Sequence, residues 1–234
     1  WYGQTENDPL NGLVMSAGLT WREIVILRAY TKYMQQARVP YTPAYIMKAL
    51  TDYPTIAAAL VGFFHANHDP HLPEAQRSIK KWSDVIMASF EHVSLLDQDR
   101  ILRLIKTLMD ATLRTNAYQT QPDGTAKDVL SIKLDSQQIA ILPDPKPMVE
   151  IFVYSPRMEG IHLRGGRIAR GGIRWSDRLE DFRTEILGLM QAQMVKNAVI
   201  VPVGAKGGFV LKKPPLDGGR EALQKEGIAC YQML

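Results

Sequence analysis

The sequence predicts an α+β fold in which an N-terminal helical region is followed by an α/β domain. Up to about residue 115, apolar residues recur at helical spacing behind capping signals, whereas short alternating apolar runs typical of strands dominate after residue 128. Between them, residues 119–127 are polar and contain Pro122 and an Asp-Gly turn pair. We therefore predict a helical region at 1–118, a linker at 119–127 and the α/β domain at 128–234.

Start signals place the helices of the first region. Thr20 with Glu23 forms a capping box, and Thr42 with Pro43 supplies an N-cap and a favoured first helical residue. The predicted helices cover residues 20–38, 43–52, 55–67, 74–92 and 97–115. The third is apolar nearly all round, which indicates a central position.

The second region reads as strands, one long helix and a final strand with a loop. Strand candidates lie at residues 129–134, 149–155, 159–163 and 166–170. Asp177 with Glu180 predicts the start of a helix that ends near Asn197, because one apolar stripe recurs at helical spacing. The stripe consists of Leu179, Phe182, Ile186, Leu189, Met190 and Met194. Residues 198–203 then predict a buried strand, and residues 204–208 (GAKGG) a glycine-flanked lysine loop.

The composition limits the classes of protein. In 234 residues, 46% hydrophobic and 22% charged content is typical of a globular protein of one or two domains. A net charge of +4 is weak evidence for nucleic acid and suits an anionic small substrate. The one cysteine, Cys230, excludes an internal disulfide framework and predicts a reduced, cytoplasmic setting. The sequence contains no apolar run of about eighteen residues, so no membrane span is predicted.

Cationic side chains stand at each junction of the second region: Arg170 at the first turn, Lys196 at the helix end and Lys206 in the loop. Three cations brought together without nearby partners indicate a bound anion. Gln193 lies with Lys196 on the edge of the apolar stripe, where an unpaired amide costs about 1–3 kcal/mol, so a ligand or a network is expected. Desolvation and like charge push Lys206 towards its neutral form, which predicts a base or nucleophile. Because Gly207 follows this lysine, the loop is no phosphate-binding P-loop.

Three motifs in this stretch resemble one family. RGGIR at 170–174, QMVKNA at 193–198 and VGAKGG at 203–208 stand in the order and spacing found in glutamate dehydrogenases. The surrounding RGGIRWSDR and EDFRTE are similar to the large NAD-specific bacterial subfamily, and the helical region resembles the segment before its catalytic core. The resemblance implies that the α/β part is a substrate-binding domain of the amino-acid dehydrogenase type.

The resemblance also implies a role for each motif residue. Arg170, next to the Gly171–Gly172 turn, would hold the side-chain carboxylate of the substrate. Lys196 with Gln193 would hold the α-carboxylate, and Lys206 would be catalytic. Arg170 departs from the lysine usual in smaller enzymes, although arginine also binds a carboxylate, in a bidentate manner.

The implied reaction is the oxidative deamination of L-glutamate to 2-oxoglutarate and ammonia, with NAD as hydride acceptor. The proton-transfer aspartate of the family would fall past Leu234, and no GxGxxG pattern occurs in the chain. The chain also starts at Trp1 without a methionine and stops inside an apparent helix. We therefore expect an internal piece of a homo-oligomeric enzyme, inactive alone, whose NAD is bound by a domain outside this chain.

Two other interpretations stay open at this point. A dehydrogenase for leucine or phenylalanine would share the two lysines but lack the cation for a side-chain carboxylate. A regulatory or assembly fragment would use its lysines only to pair with acids. Lys206 would then be a surface loop lysine, and Arg170 a structural partner of Glu180 or Asp181.

Two further patterns have simpler explanations. The histidines of HANHDPH, residues 65–71, are broken by a proline and lack a matching acidic or cysteine ligand, so we predict a helix C-terminal cap and turn instead of a metal site. The arginines between residues 157 and 183 are interleaved with acidic residues. That interleaving predicts ion pairs and argues against a surface for nucleic acid.

Overall fold

The structure is a computed structural model that describes residues 5–196 and 203–234, and it divides the chain into two compact units. One unit contains residues 5–35 and 40–110 and is helical. The other contains residues 36–39 and the described part of 111–234, and it is built on a β-sheet. Helices and a mixed sheet together make the architecture α+β, as predicted.

The helical unit follows the predicted capping signals closely. The Thr20 backbone N–H donates to Glu23 Oε2 at 2.7 Å, and Thr42 Oγ1 accepts from the Tyr45 backbone N–H at 3.3 Å. Both predicted helix starts are therefore confirmed. The helices are α1 (Leu13–Ser16), α2 (Trp21–Gln36), α3 (Pro43–Asp52), α4 (Pro54–His68), α5 (Ile79–Phe90) and α6 (Leu96–Asp110).

Three predicted helix boundaries in this region are wrong. The first helix ends at Gln36 because Arg38 adopts a left-handed backbone conformation, with φ of 58°. The helix predicted at 74–92 is a short 3-10 turn, Glu74–Gln76, followed by α5, whose start is capped by Ser78. The helix predicted at 97–115 stops at Asp110, because the next residues pair with a neighbouring strand.

The core of the helical unit contains a fully buried charged side chain, that of Arg28. Arg28 is 0% exposed, and its Nε lies 2.5 Å from Asp8 Oδ2. The same guanidinium donates to Thr5 and Asn11, so it holds the N-terminal segment against α2. The buried apolar side chains of this unit include Leu27, Tyr30, Met34, Ile46, Leu50, Leu60, Phe64, Ile101 and Ile105.

The sheet unit contains one mixed sheet within the described residues. Its strands are β1 (Thr112–Thr115), β2 (Leu130–Asp135), β3 (Val149–Tyr154), β4 (Met158–Arg164), β5 (Ala169–Arg170), β6 (Ile173–Trp175) and β7 (Val203–Leu211). The order is β1-β2-β3-β4-β7-β5, with β6 also paired to β7. Neighbours from β1 to β7 are antiparallel, whereas β5 and β6 run parallel to β7. The predicted strands at 129–134, 149–155 and 159–163 are confirmed.

The lysine loop predicted at residues 204–208 is wrong, because these residues lie inside β7. They pair one by one with β4, and Lys206 is opposite Leu163. The glycines serve close packing instead of a loop: a side chain on Gly208 would overlap Ile186, and one on Gly207 would lie 3.0 Å from Ile173. Residues 198–202 of the predicted preceding strand lie outside the described residues.

Helix α7 (Phe182–Lys196) packs on one face of the sheet, and α8 (Gly219–Met233) on the other. The predicted start of α7 at Asp177 is wrong, because Ser176 Oγ accepts from the Arg178 backbone N–H and holds this segment in a turn. Cys230 of α8 is buried against β3, β4 and β7. Burial raises the pKa of its thiol to about 11. Within the described ranges, each helix is too short or too polar to cross a lipid bilayer.

The division between the units differs from the predicted linker. It lies between Asp110 and Ala111, before residues 119–127. Strand β1 pairs with β2, so the polar segment 119–127 is a connection within the sheet unit, where Thr120 and Ala126 form an isolated bridge.

Candidate functional site

Lys206 lies near the middle of β7, on the face of the sheet that α7 covers. Alternate residues of a strand share a face, and a side chain on Gly204 or Gly208 would meet Gln193 or Ile186 of α7. The Lys206 side chain therefore emerges between these two glycines. It is half-buried, and no hydrogen bond or ion pair joins it to another residue of the described ranges.

The Gly171–Gly172 turn lies directly against β7. Arg170 pairs with Gly204, and the Gly207 backbone N–H donates to the Gly172 carbonyl at 3.0 Å. A side chain on Gly171 would overlap the carbonyl oxygen of Ala205. Only glycine permits this close approach of the turn to the lysine strand.

Arg170 leaves the sheet on the same face as Lys206, because paired residues of adjacent strands share a face. Strand spacing places the two Cα atoms about 8 Å apart. Arg170 is exposed, and no ion pair joins it to an acidic residue of the described ranges. Asp181, one of its alternative partners from the sequence, pairs with Arg178.

Gln193 faces this turn from α7. An ideal Cβ on Gly171 would lie 3.2 Å from Gln193 Oε1, and one on Gly204 would lie 2.9 Å from Gln193 Cβ. The Oε1 atom is buried and accepts no hydrogen bond from the part of the chain that the structure describes. A buried acceptor left unpaired costs about 1–3 kcal/mol, so this atom is suited to a donor from outside the described residues.

Lys196 is the last described residue of α7. Its backbone is helical, which agrees with the predicted position near a helix C-terminus, where a cation is favoured. Its side chain and residues 197–202 lie outside the described residues. The structure therefore brings together Arg170, the glycine turn, Gln193 and Lys206.

This arrangement is chemically suited to a small anion. A guanidinium and an ammonium leave one face of the sheet, and an amide lies beside them. Neither cation is neutralised by an acidic residue of the described ranges. Carboxylates are the natural partners of such groups, since arginine binds them in a bidentate manner and lysine binds them as a point charge.

A buried ion pair between Arg183 and Glu150 fixes α7 on the sheet. The sequence analysis did not identify these two residues as partners. Arg183 and Glu150 form two hydrogen bonds, and their side chains are 3% and 0% exposed. Glu150 is opposite Leu163, which in turn is opposite Lys206, so the pair lies in the same cross-strand row as the lysine. Partners 33 residues apart in the chain follow no local spacing that would have identified them.

A second network ties β6 to α7. Glu185 Oε1 lies 2.5 Å from Arg174 Nε, and Glu185 Oε2 accepts from Ser176 Oγ at 2.5 Å. The ion-pair partner of Arg174 is therefore Glu185, which lies further along the chain. No local signal identifies this partner, because strand and helix meet only after folding.

Four of the seven arginines between 157 and 183 form ion pairs in the described residues, as their interleaving with acids predicted, whereas Arg170 is not among them. The pairs in the described residues join Arg157 to Glu226, Arg174 to Glu185, Arg178 to Asp181 and Arg183 to Glu150. These arginines therefore do not form an uncompensated basic stripe.

The histidine segment of the helical unit forms the predicted cap and turn. Asp69 is the C-cap residue of α4, and its Oδ1 accepts from the His71 backbone N–H at 2.8 Å. His65 Nε2 lies 3.1 Å from Glu23 Oε1. No group of three or more His, Cys, Asp or Glu side chains suited to a metal occurs among the residues that the structure describes.

Comparison with known proteins gives two family matches. Residues 85–234 match the model of the bacterial NAD-glutamate dehydrogenase catalytic domain. Residues 5–70 match helical motif 3 of glutamate dehydrogenase. The two matches cover most of both units.

Individual relatives are similar along the whole chain. It is 52% identical over 242 residues to an NAD-specific glutamate dehydrogenase of Mycobacterium tuberculosis and 51% identical over 233 residues to that of Halomonas elongata. Both alignments cover 100% of this chain but only 15% and 14% of those proteins. A Neurospora crassa protein of the same name is 28% identical over 79% of the chain. The chain thus spans about one seventh of the length of its bacterial relatives.

Proposed function

The chain belongs to the family of bacterial NAD-glutamate dehydrogenases, and we propose that it is part of an enzyme that oxidises L-glutamate. The reaction converts L-glutamate, water and NAD⁺ into 2-oxoglutarate, ammonium, NADH and a proton. One observation carries the proposal: the glycine turn, Gln193 and Lys206 come from three separate motifs and meet on one face of the sheet. We assign this part of the chain to a substrate-binding domain of the amino-acid dehydrogenase type.

In the proposed site the two ends of the substrate are bound separately. Arg170 holds the side-chain carboxylate, with Gly171–Gly172 letting the substrate approach the backbone. Gln193 and Lys196 hold the α-carboxylate. Binding both ends fixes the carbon skeleton and orients the hydrogen on C2, which lowers the entropic part of the barrier.

Lys206 is the proposed catalytic residue. In its neutral form the amine takes a proton from the water that attacks the imino carbon, and as an ammonium it stabilises the resulting carbinolamine. Its position between Gly204 and Gly208, half-buried and without an acidic partner in the described ranges, supports this role.

The residues of this chain do not fit an NAD site. The sheet is largely antiparallel in the described residues, and the sequence has no glycine-rich dinucleotide motif. We therefore propose that NAD is bound by a domain outside this chain, where it accepts the hydride. We further propose that the enzyme is a cytoplasmic homo-oligomer without a nucleic-acid or membrane partner.

The function is tested in the complete enzyme with Lys206→Ala. We expect kcat for NADH formation from glutamate to fall about 10²- to 10⁴-fold, the usual contribution of a general acid or base. Lys213→Ala is the matched control, since Lys213 is an exposed lysine close behind on the same segment. Equal activity of the Lys206 variant and the control would refute the catalytic assignment.

The substrate class is tested with Arg170→Ala. If Arg170 binds the side-chain carboxylate, this variant loses glutamate activity much more than any activity on leucine or phenylalanine. An unchanged substrate profile would instead favour a dehydrogenase for apolar amino acids. The 234-residue chain alone should form no NADH from glutamate.

A further inference from the structure

Glu185 connects two elements that carry proposed substrate contacts. It lies in the first turn of α7, and its carboxylate binds Arg174 Nε and Ser176 Oγ, each at 2.5 Å. The Glu185 side chain is 14% exposed and that of Arg174 is 54% exposed, so the carboxylate is largely shielded from water while its arginine partner reaches the surface. The carboxylate thus links the end of β6 to the start of α7.

Strand β6 depends on such side-chain contacts. It is three residues long, Ile173–Trp175, and among the described strands it pairs with β7 alone. A strand this short has few backbone hydrogen bonds of its own. Because β6 directly follows Gly171–Gly172, any movement of β6 along β7 also moves the turn and Arg170.

Helix α7 connects Glu185 rigidly to Gln193, which lies at the other end of the site. Glu185 and Gln193 lie about 12 Å apart along one continuous helix. The buried pair of Arg183 with Glu150 holds this helix on the sheet. The distance between the turn and Gln193 therefore depends on two links: the pairing of the turn with β7, and the contacts by which Glu185 holds the end of β6 to α7.

Resting on the proposed function, we propose that Glu185 is a positioning residue that sets the spacing between the two carboxylate-binding groups. That spacing selects glutamate over aspartate and 2-aminoadipate, which are one methylene shorter and longer. Glu185 does not contact the substrate, and it acts through Ser176, Arg174 and the turn that precedes them. A fitted site discriminates about 10- to 200-fold for one methylene, so a loosened site loses part of this factor.

The test measures kcat/KM of the complete enzyme for L-glutamate, L-aspartate and L-2-aminoadipate. We expect Glu185→Gln to reduce the preference for glutamate about tenfold, mainly through a higher KM for glutamate. Ser176→Ala removes the hydrogen bond to Glu185 and the one accepted from the Arg178 backbone N–H, but it leaves the ion pair of Glu185 with Arg174, so it should act in the same direction with a smaller effect. Arg178→Gln is the matched control, because it breaks an exposed ion pair with Asp181 in the segment between β6 and α7.

The outcomes separate the two proposals. A wild-type enzyme that does not oxidise glutamate overturns the proposed function and this inference with it. In the other case, the wild-type enzyme oxidises glutamate while Glu185→Gln prefers glutamate as strongly as wild type or Arg178→Gln does. That result overturns the positioning role alone. If Glu185→Gln does not fold, Ser176→Ala is the deciding variant. An unchanged preference for glutamate in Ser176→Ala then overturns the positioning role of Glu185.

Discussion

The helical unit pairs its buried charges internally, whereas the sheet unit leaves two cations and an amide open around one glycine turn. In the helical unit, Arg28 binds Asp8, and Lys106 binds Asp110 at 2.7 Å with its ammonium 3.9 Å from the centre of the Phe63 ring. In the sheet unit, by contrast, no described acid pairs with Arg170 or Lys206, and Gln193 Oε1 accepts no hydrogen bond from the described residues.

The sheet unit also contains buried ion pairs, so the difference between the two units is confined to the surroundings of the glycine turn. Arg183 with Glu150 and Lys212 with Glu159 are both buried and paired. Arg170, Lys206 and Gln193 lie where β5, β6, β7 and α7 meet. Two other buried atoms without a hydrogen bond in the described residues, Ser136 Oγ and His162 Nδ1, lie elsewhere in the sheet unit. The comparison separates the charges that are paired within the framework from the open polar groups around the glycine turn, for which we propose a ligand as the missing partner.

The largest effect is expected when a buried charge pair of the helical unit is broken by Arg28→Met. Removing the guanidinium leaves Asp8, whose side chain is 12% exposed, without its charge partner, so we expect a loss of about 3–5 kcal/mol in the free energy of unfolding. Urea unfolding followed by circular dichroism measures it. Lys80→Met is the control, because Lys80 is 89% exposed in its pair with Asp84 and should contribute less than about 1 kcal/mol. Equal losses in both variants would contradict the difference between buried and exposed pairs.

A smaller effect is expected at the turn. Gly171→Ala places a methyl group on the Ala205 carbonyl oxygen, so the turn has to move away from β7, at a cost of about 1–3 kcal/mol. The neighbouring Gly172→Ala is a matched control, because its methyl group meets no atom within 4 Å. Denaturant unfolding of both variants compares them. A Gly171→Ala protein as stable as Gly172→Ala would show that the close contact between turn and strand is not required.

The smallest effect has the opposite sign. Gln193→Met removes a buried Oε1 that accepts no hydrogen bond from the described residues and puts an apolar group of similar length in its place, so we expect stability to rise by about 1 kcal/mol while the affinity for 2-oxoglutarate falls. Gln191→Met is the control, since Gln191 is paired with the Pro145 carbonyl near the surface. Thermal unfolding and calorimetric titration of the complete enzyme measure the two quantities. A loss of stability in Gln193→Met would mean that the amide belongs to the framework.

Much of the fold could be predicted from local sequence signals. Thr20 with Glu23 and Thr42 with Pro43 mark helix starts, and the alternating runs at 129–134 and 149–155 mark strands, because these signals act between neighbours in the chain. The prediction was wrong where distant contacts decide. Gly204 to Gly208 have the composition of a loop, yet pairing with β4 makes them a strand. Asp177 has the spacing of an N-cap, but the bond from the Arg178 backbone N–H to Ser176 holds this segment in a turn.

The candidate site shows the same division. The sequence identified Arg170, Gln193, Lys196 and Lys206 as its residues, and their roles stay predictions. It could not identify Glu185 as the partner of Arg174 and Ser176, because strand and helix are adjacent only after folding.

The sequence by itself determined which residue types were available and which segments were helical or extended, since capping and periodicity depend on near neighbours. Only the tertiary structure decided which polar groups are neutralised and which stay open. The free energy of a charged or amide group depends on the atoms that surround it, and those atoms come from distant parts of the chain. Lys206 lies in β7 and Lys212 directly follows that strand, yet folding gives an acidic partner to Lys212 and, within the described residues, none to Lys206.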